Sequence, residues 1–135
     1  MSRISNVMGP VDIAVSGMRA HAQSMEVISS NIANSRTADA GQGRPYQRLE
    51  AVLRTDGENI GGINSVDVVA DTTPFQRVYD PGNPASDSSG YVNMPNVQLP
   101  VEMMNLNIAS RAYQANAAVL KRYQNMVETS LELLR

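Results

Sequence analysis

"VISSNIANSRT", residues 27–37, decides how the chain is built, because an apolar row at helical spacing runs into two asparagines and three serines. Upstream, Ile4, Val7, Val11, Ala14, Met18, His21, Met25, Ile28 and Ile32 recur at alternating steps of three and four. That is a heptad seam with one polar member, His21. Pro10 suits a first helical turn and Asp12 lies near its positive end, so the pattern predicts a helix over 10–33 with residues 1–9 frayed. Asn34 suits a left-handed stop, with Ser35 and Thr37 able to take up freed backbone groups. The helix end does not explain Asn31, which sits beside Ile32 with Ser29 and Ser30 before it. Surface polarity is one reading. The other is an amide in a crowded helix junction, fixing register by hydrogen bonds where a leucine would slide.

The other end of the chain carries a second seam. Leu99, Leu106, Tyr113, Leu120, Val127 and Leu134 fall at intervals of seven, flanked by Met103, Ala109, Ala117 and Leu131. Pro100 fits a first turn near Gln98 or Leu99, neither of them a good cap. Glu128 and Glu132 lie unfavourably near the negative end, offset in part by Arg135. Between these, Ala109, Ala112, Ala115, Ala117 and Ala118 are small enough to admit close neighbours, although alanine also simply favours helix. Tyr113 and Asn116 interrupt that run with groups that want buried partners. At 1.5 Å per residue the two helices would span about 36 and about 54 Å, which predicts an elongated molecule.

Residues 36–96 change character. "YQRLEAVL", "INSVDVV" and "FQRVY" have the length and the β-branched or aromatic content of strands, and "DGENIGG" and "YDPGNPASDSSGY" are dense in turn residues. The expected fold class is therefore α+β: long N- and C-terminal helices packed as an antiparallel coiled-coil-like stem, with a small strand-and-loop insertion between them. Residues 1–35 and 97–135 would form one helical domain and 36–96 the insertion. With five tyrosines, one phenylalanine and no tryptophan among 135 residues, the insertion has little to bury and should lean on the helices or on neighbours.

Composition narrows the function. Eleven basic against thirteen acidic residues give no field to hold a nucleic acid or an anionic membrane face. Cysteine is absent, which removes thiolate catalysis, disulfides and cysteine-bound metal. No run reaches the roughly 20 apolar residues of a membrane span. The opening "MSRISNVMGPVDIAV" is broken by Asn6, Gly9, Pro10 and Asp12 and lacks the apolar stretch of a cleaved secretory signal. His21, the only histidine, has no nucleophile or orienting acid at a useful spacing and reads as a packing residue on the seam. Asp80, Asn83, Ser86 and Asp87 do not follow the spacing of a calcium loop and read as turn formers. Arg111, Lys121 and Arg122 read as a solvated or inter-subunit face. No catalytic, cofactor-binding or metal-binding residue is expected.

"SSNIANSRT" near the end of the first helix, paired with "SRAYQANAAVL" at 110–120, resembles the end motifs of the axial proteins of the bacterial flagellum, its rod and hook subunits. Within that group "VYDPGNPASDSSGYVNMPNVQLPVEMMNL", residues 78–106, looks like a hallmark of a proximal-rod subunit. The chain departs from its relatives at Gln98, where an aspartate usually caps the second helix. The resemblance implies a structural protein, exported unfolded without a cleaved signal, that builds a tubular shaft in the periplasm carrying torque from motor to hook. Implied partners are further copies of itself, the rod subunits FlgB, FlgF, FlgG and FliE, and the flagellar type III export apparatus, with no nucleic acid and no membrane span. The residues expected to make the helix seam and assembly surface are Val11, Met18, Met25, Ile28, Asn31, Ile32, Asn34, Leu99, Leu106, Tyr113, Asn116, Leu120, Val127 and Leu134. The rival readings are a soluble coiled-coil adaptor or export chaperone, and a small enzyme using His21.

Overall fold

Pro10 opens the first helix with its fixed φ and missing N–H, both suited to a first turn, and the Gly9 N–H donates to Asp12 Oδ2 at 3.3 Å. A computed structural model of the chain describes residues 9–55 and 61–134. Within them the order is α1 (Pro10–Ala33), β1 (Leu49–Arg54), β2 (Ser65–Ala70), β3 (Gln76–Tyr79), β4 (Tyr91–Met94) and α2 (Leu99–Leu133). The seam positions Ile4 and Val7, residues 1–8 of the 1–9 stretch expected to fray, most of the "DGENIGG" turn and the charge of Arg135 lie outside the described residues.

Both helices have the extent their patterns predict, but α1 does not end as expected. Asn34 has φ −100° and ψ 11°, which is not the left-handed stop. Its side chain closes the end instead: Asn34 Nδ2 donates to the Ser30 carbonyl at 2.9 Å, and the Thr37 hydroxyl donates to Asn34 Oδ1 at 3.3 Å. At α2, Gln98 is extended and makes no side-chain cap, so the helix starts at Leu99 with Pro100 filling its first turn.

The two helices run antiparallel. Asn31 in the last turn of α1 meets Glu102 in the first turn of α2, and Gly17 farther back in α1 meets Asn116 farther along α2. The face of α1 that is buried is Ala14, Gly17, Ala20, Val27, Ile28 and Asn31. Of the predicted seam Ala14 and Ile28 are on it, together with Asn31, while Val11, Met18, His21, Met25 and Ile32 are half-buried on its flanks. Close helix approach explains the rotation, since a line of hydrogen and methyl groups lets the backbones near one another and longer side chains splay to the sides.

α2 has 35 residues against 24 in α1. At the observed pairing Pro10 is level with about residue 123. The remaining turns of α2 therefore meet no described part of α1, and Val127, Leu131 and Leu134 are 39%, 62% and 85% exposed. Leu99, at the other end of the expected seam, is also exposed.

The middle segment makes two separate two-stranded antiparallel sheets, β1 with β2 and β3 with β4. Leu49 pairs with Ala70 and Arg54 with Ser65 in the first, Gln76 with Met94 and Tyr79 with Tyr91 in the second. β4 is a strand where the sequence reading places only turn-rich loop. Such ribbons are marginal alone. The first leans on α1, where Ser16 Oγ donates to the Ile13 carbonyl at 2.8 Å and accepts the Ile63 N–H at 3.1 Å. Gly62 is buried there, and a methyl group on it would run into the Ser16 side chain. Gly62→Ala is expected to destabilise the chain by about 1–3 kcal/mol through this overpacking, measured by chemical denaturation.

Candidate functional site

Asn31, in the last turn of α1, is fully buried and satisfied on every side. Its Nδ2 donates to the Leu49 carbonyl at 2.8 Å and to Glu102 Oε2 at 3.0 Å. Its Oδ1 accepts from the Leu49 N–H at 2.9 Å and from the Tyr46 hydroxyl at 3.0 Å. An amide has two donors and two lone pairs, so nothing is left over. By taking both the N–H and the C=O of Leu49, the side chain acts as one more strand residue and closes the free edge of β1 where the hairpin begins.

Glu102, also fully buried, is the second member. Besides the Asn31 amide, it accepts Arg48 Nε on Oε1 at 2.7 Å. The first turn of α2 places its charge at the positive end of the helix, which favours an anion there. Arg48 then reaches out of the interior: its Nη1 donates to Asp71 Oδ2 at 3.2 Å and lies 3.8 Å from Glu50 Oε2. Burial lowers the affinity of the Arg48 guanidinium for its proton, but the Glu102 carboxylate and then Asp71 and Glu50 outweigh it and raise its pKa.

Asn96, just after β4, ties in the remaining loop. Its Oδ1 accepts the Arg48 N–H at 2.8 Å, and its Nδ2 donates to the Asp71 and Thr73 carbonyls, both at 3.1 Å. One polar joint thus holds α1, α2, the start of β1, the exit of β2 and the exit of β4.

Two carboxyls sit below their ordinary range. The Thr73 N–H and hydroxyl hold Asp71 low, helped by Arg48, and the Tyr91 N–H does the same for Asp87, helped by Arg77 and the Ser89 N–H. The Asp80, Asn83 and Asp87 oxygens named in the sequence reading are occupied in the turn between β3 and β4: Asn83 Oδ1 accepts the Ala85 N–H at 3.0 Å and Asp87 Oδ1 the Ser89 N–H at 2.8 Å.

The expected seam residues divide into groups. Met18, Tyr113 and Leu120 come together with Val15, Arg19 and Ala22 around a shallow apolar hollow between the helices. The Asn116 amide fills the notch at Gly17, where an added Cβ would stand 2.7 Å from its nitrogen. Leu106 and Asn34 are half-buried. Leu99, Val127 and Leu134 stay exposed. His21 lines a groove with Val27, Ile28, Leu49 and Ala109; the Arg48 beside it is committed to Glu102 and Asp71. The sequence reading did not single out Arg48, Tyr46, Asp71 or Glu102, and a carboxylate in a first helical turn signals only a favourable dipole, never its burial.

Residues 12–38 match the flagella basal body rod protein family, and residues 88–133 match the flagellar basal body rod FlgEFG protein C-terminal family. These stretches cover the two helices and place the chain among the flagellar basal-body rod proteins. The chain is 40% identical to the flagellar basal-body rod protein FlgC of Escherichia coli over 125 residues, covering 90% of this chain and 93% of that one. Against FlgC of Salmonella typhimurium it is 39% identical with the same coverage, and against FlgC of Agrobacterium fabrum 35% identical over 91% of each chain. The chain belongs to the FlgC family of flagellar basal-body rod proteins.

Asn31→Ala strips partners from the Leu49 backbone and from Glu102 at once, and is expected to cost about 2–4 kcal/mol in a denaturant titration. For the lowered carboxyls the direction of the pH effect follows from linkage: a depressed folded pKa adds stability that is fully present above the ordinary carboxylate range and lost as pH falls through the lowered value. Stability is therefore expected to hold from neutrality to about pH 5 and to fall below about pH 4, with Asp71→Asn flattening that fall in thermal melts.

Proposed function

We propose that the chain is a structural subunit of the proximal rod of the flagellar basal body, working by geometry and stiffness with no catalytic step. The observation that carries this is the apolar surface left open along α2. Leu99, Met103, Met104, Ile108, Val119, Met126, Val127, Leu131, Leu133 and Leu134 are all exposed on one long helix. The whole chain exposes 9983 Å². A compact monomer of its 14.6 kDa would expose about 6,900 Å². A surplus of that size suits a subunit whose neighbours complete its burial.

In this reading residues 1–35 and 97–135 form one helical unit, packed as an antiparallel coiled-coil-like stem, and 36–96 is the insertion it carries. The half-buried and exposed seam residues Met18, Met25, Leu106, Tyr113, Leu120, Val127 and Leu134 serve between subunits as well as within one. The partners are further copies of the chain and the rod subunits FlgB, FlgF, FlgG and FliE. Assembly forms a tubular shaft in the periplasm that carries torque from motor to hook, reached through the flagellar type III export apparatus. Among the described residues no helix is long and apolar enough to cross a membrane. The adaptor and chaperone reading gains nothing from the relatives, whose names are those of rod proteins.

A charge in the hollow between the helices separates this reading from its rivals. Leu120→Asp is expected to abolish incorporation into isolated basal bodies and swimming on soft agar, by desolvating a carboxylate among Val15, Met18 and Tyr113. His21→Ala is expected to leave both within about twofold. Normal rods from the Leu120→Asp chain would overturn the proposal, and loss of motility from His21→Ala with rods intact would revive the enzyme reading.

A further inference from the structure

We infer that the Asn31–Glu102–Arg48 joint is a register lock: it selects one longitudinal setting of α1 on α2 and ties the hairpin to that setting. The need for such a device lies in the helix contact itself. Of its eight buried residues four are small, Ala14, Gly17 and Ala20 on α1 and Ala109 on α2, two are the polar pair Asn31 and Glu102, and only Val27 and Ile28 are larger apolar groups. Rows of methyl and hydrogen groups present shallow, nearly repeating grooves, so settings one turn apart, about 5.4 Å, bury similar apolar area. Packing alone selects weakly among them.

The polar joint discriminates where packing does not. A slip of one turn would carry Asn31 out of reach of Glu102 Oε2, now 3.0 Å away, and leave a carboxylate of 0% exposure short of a donor. It would also pull either Asn31 from the Leu49 backbone or Glu102 from Arg48, because Arg48 is anchored from the other side by Asp71 and Asn96. A second point of the lock is steric. Asn116 occupies the notch at Gly17, and a one-turn slip would bring it against Ala14, Ala20 or His21, each of which has the Cβ that Gly17 lacks. The two points are fourteen residues apart on α1, about 21 Å, so they also fix the alignment of the helix axes. A buried polar cluster of this kind gives specificity more than stability, as a single buried asparagine does in a coiled coil.

The test reads the setting directly in the free chain, so it stands apart from the rod assignment. The native chain has no cysteine, and Gln23 on α1 and Lys121 on α2 are both exposed. Spin labels on cysteines at those positions are offset by about 16 Å along the axis, so a one-turn slip changes their separation by roughly 4 Å. Double electron–electron resonance on the otherwise native chain is expected to give one narrow distance peak. Asn31→Leu with Glu102→Leu is expected to keep its helical circular dichroism and show a second peak displaced by about 4 Å. Glu102→Gln, which keeps the shape but turns an amide donor toward either Asn31 or Arg48, is expected to show the same second peak at lower population. Ser29→Leu, on the exposed face of α1, is expected to leave the single peak unchanged. A single unbroadened peak in folded Glu102→Gln overturns the inference, whether or not the leucine pair folds.

Discussion

A buried carboxylate beside a buried amide is the constraint on which the remainder of this structure depends. Each group would be costly to enclose alone: Glu102 is made tolerable by the Asn31 amide and by Arg48, whose charge it balances, and Asn31 by Glu102, the Leu49 backbone and the Tyr46 hydroxyl. The requirement for three partners from three parts of the chain means that the joint exists only when α1, α2 and the hairpin have all arrived. The largest side chains with almost no exposure are Glu102, Val92, Asn31 and Pro95, so polar groups occupy the place that large apolar residues hold in an ordinary core. The two ribbons, too small to stand alone, gain their position from this same joint through Leu49, Arg48 and Asn96.

Much of this was legible in the sequence, and the pattern of success follows from the physics. The period of Val11 to Ile32 and the sevenfold spacing from Leu99 to Leu134 marked both helices, because periodicity is a local property that survives without knowledge of partners. The strands β1, β2 and β3 carried enough β-branched and aromatic residues to be seen, whereas β4, "YVNM", is too short and too close to a dense turn to stand out. Which face of α1 is buried was only partly legible: Ala14 and Ile28 belong to the expected seam, whereas Gly17, Ala20 and Val27 do not. Hydrophobicity favoured Met18 and Met25, but closeness of approach favoured Gly17 and Ala20, and approach is set by the other helix.

The candidate site shows the same boundary. Asn31 stood out because an amide beside a seam wants a reason, and both open readings of it, surface polarity and a junction amide, could be written from the sequence. Its actual partners, 15 to 71 residues away, could not. Glu102 carried no signal beyond its place in a first turn, and Arg48 and Asp71 looked like any other surface charges. Asn34 illustrates the converse error, since residue type suggested a left-handed stop while the chain used the amide as a side-chain cap.

The scarcity of buried apolar surface has a thermodynamic side. With 9983 Å² exposed, folding removes only about half of the surface of the extended chain, against roughly two-thirds in a compact domain of this length. The heat capacity change of unfolding scales with newly wetted apolar area, so it is about a fifth smaller here than in a compact domain of this length, and the free-energy curve of the lone chain is correspondingly less bent. Curvature would grow as further apolar area is enclosed, which makes the heat capacity itself a record of how far enclosure has gone.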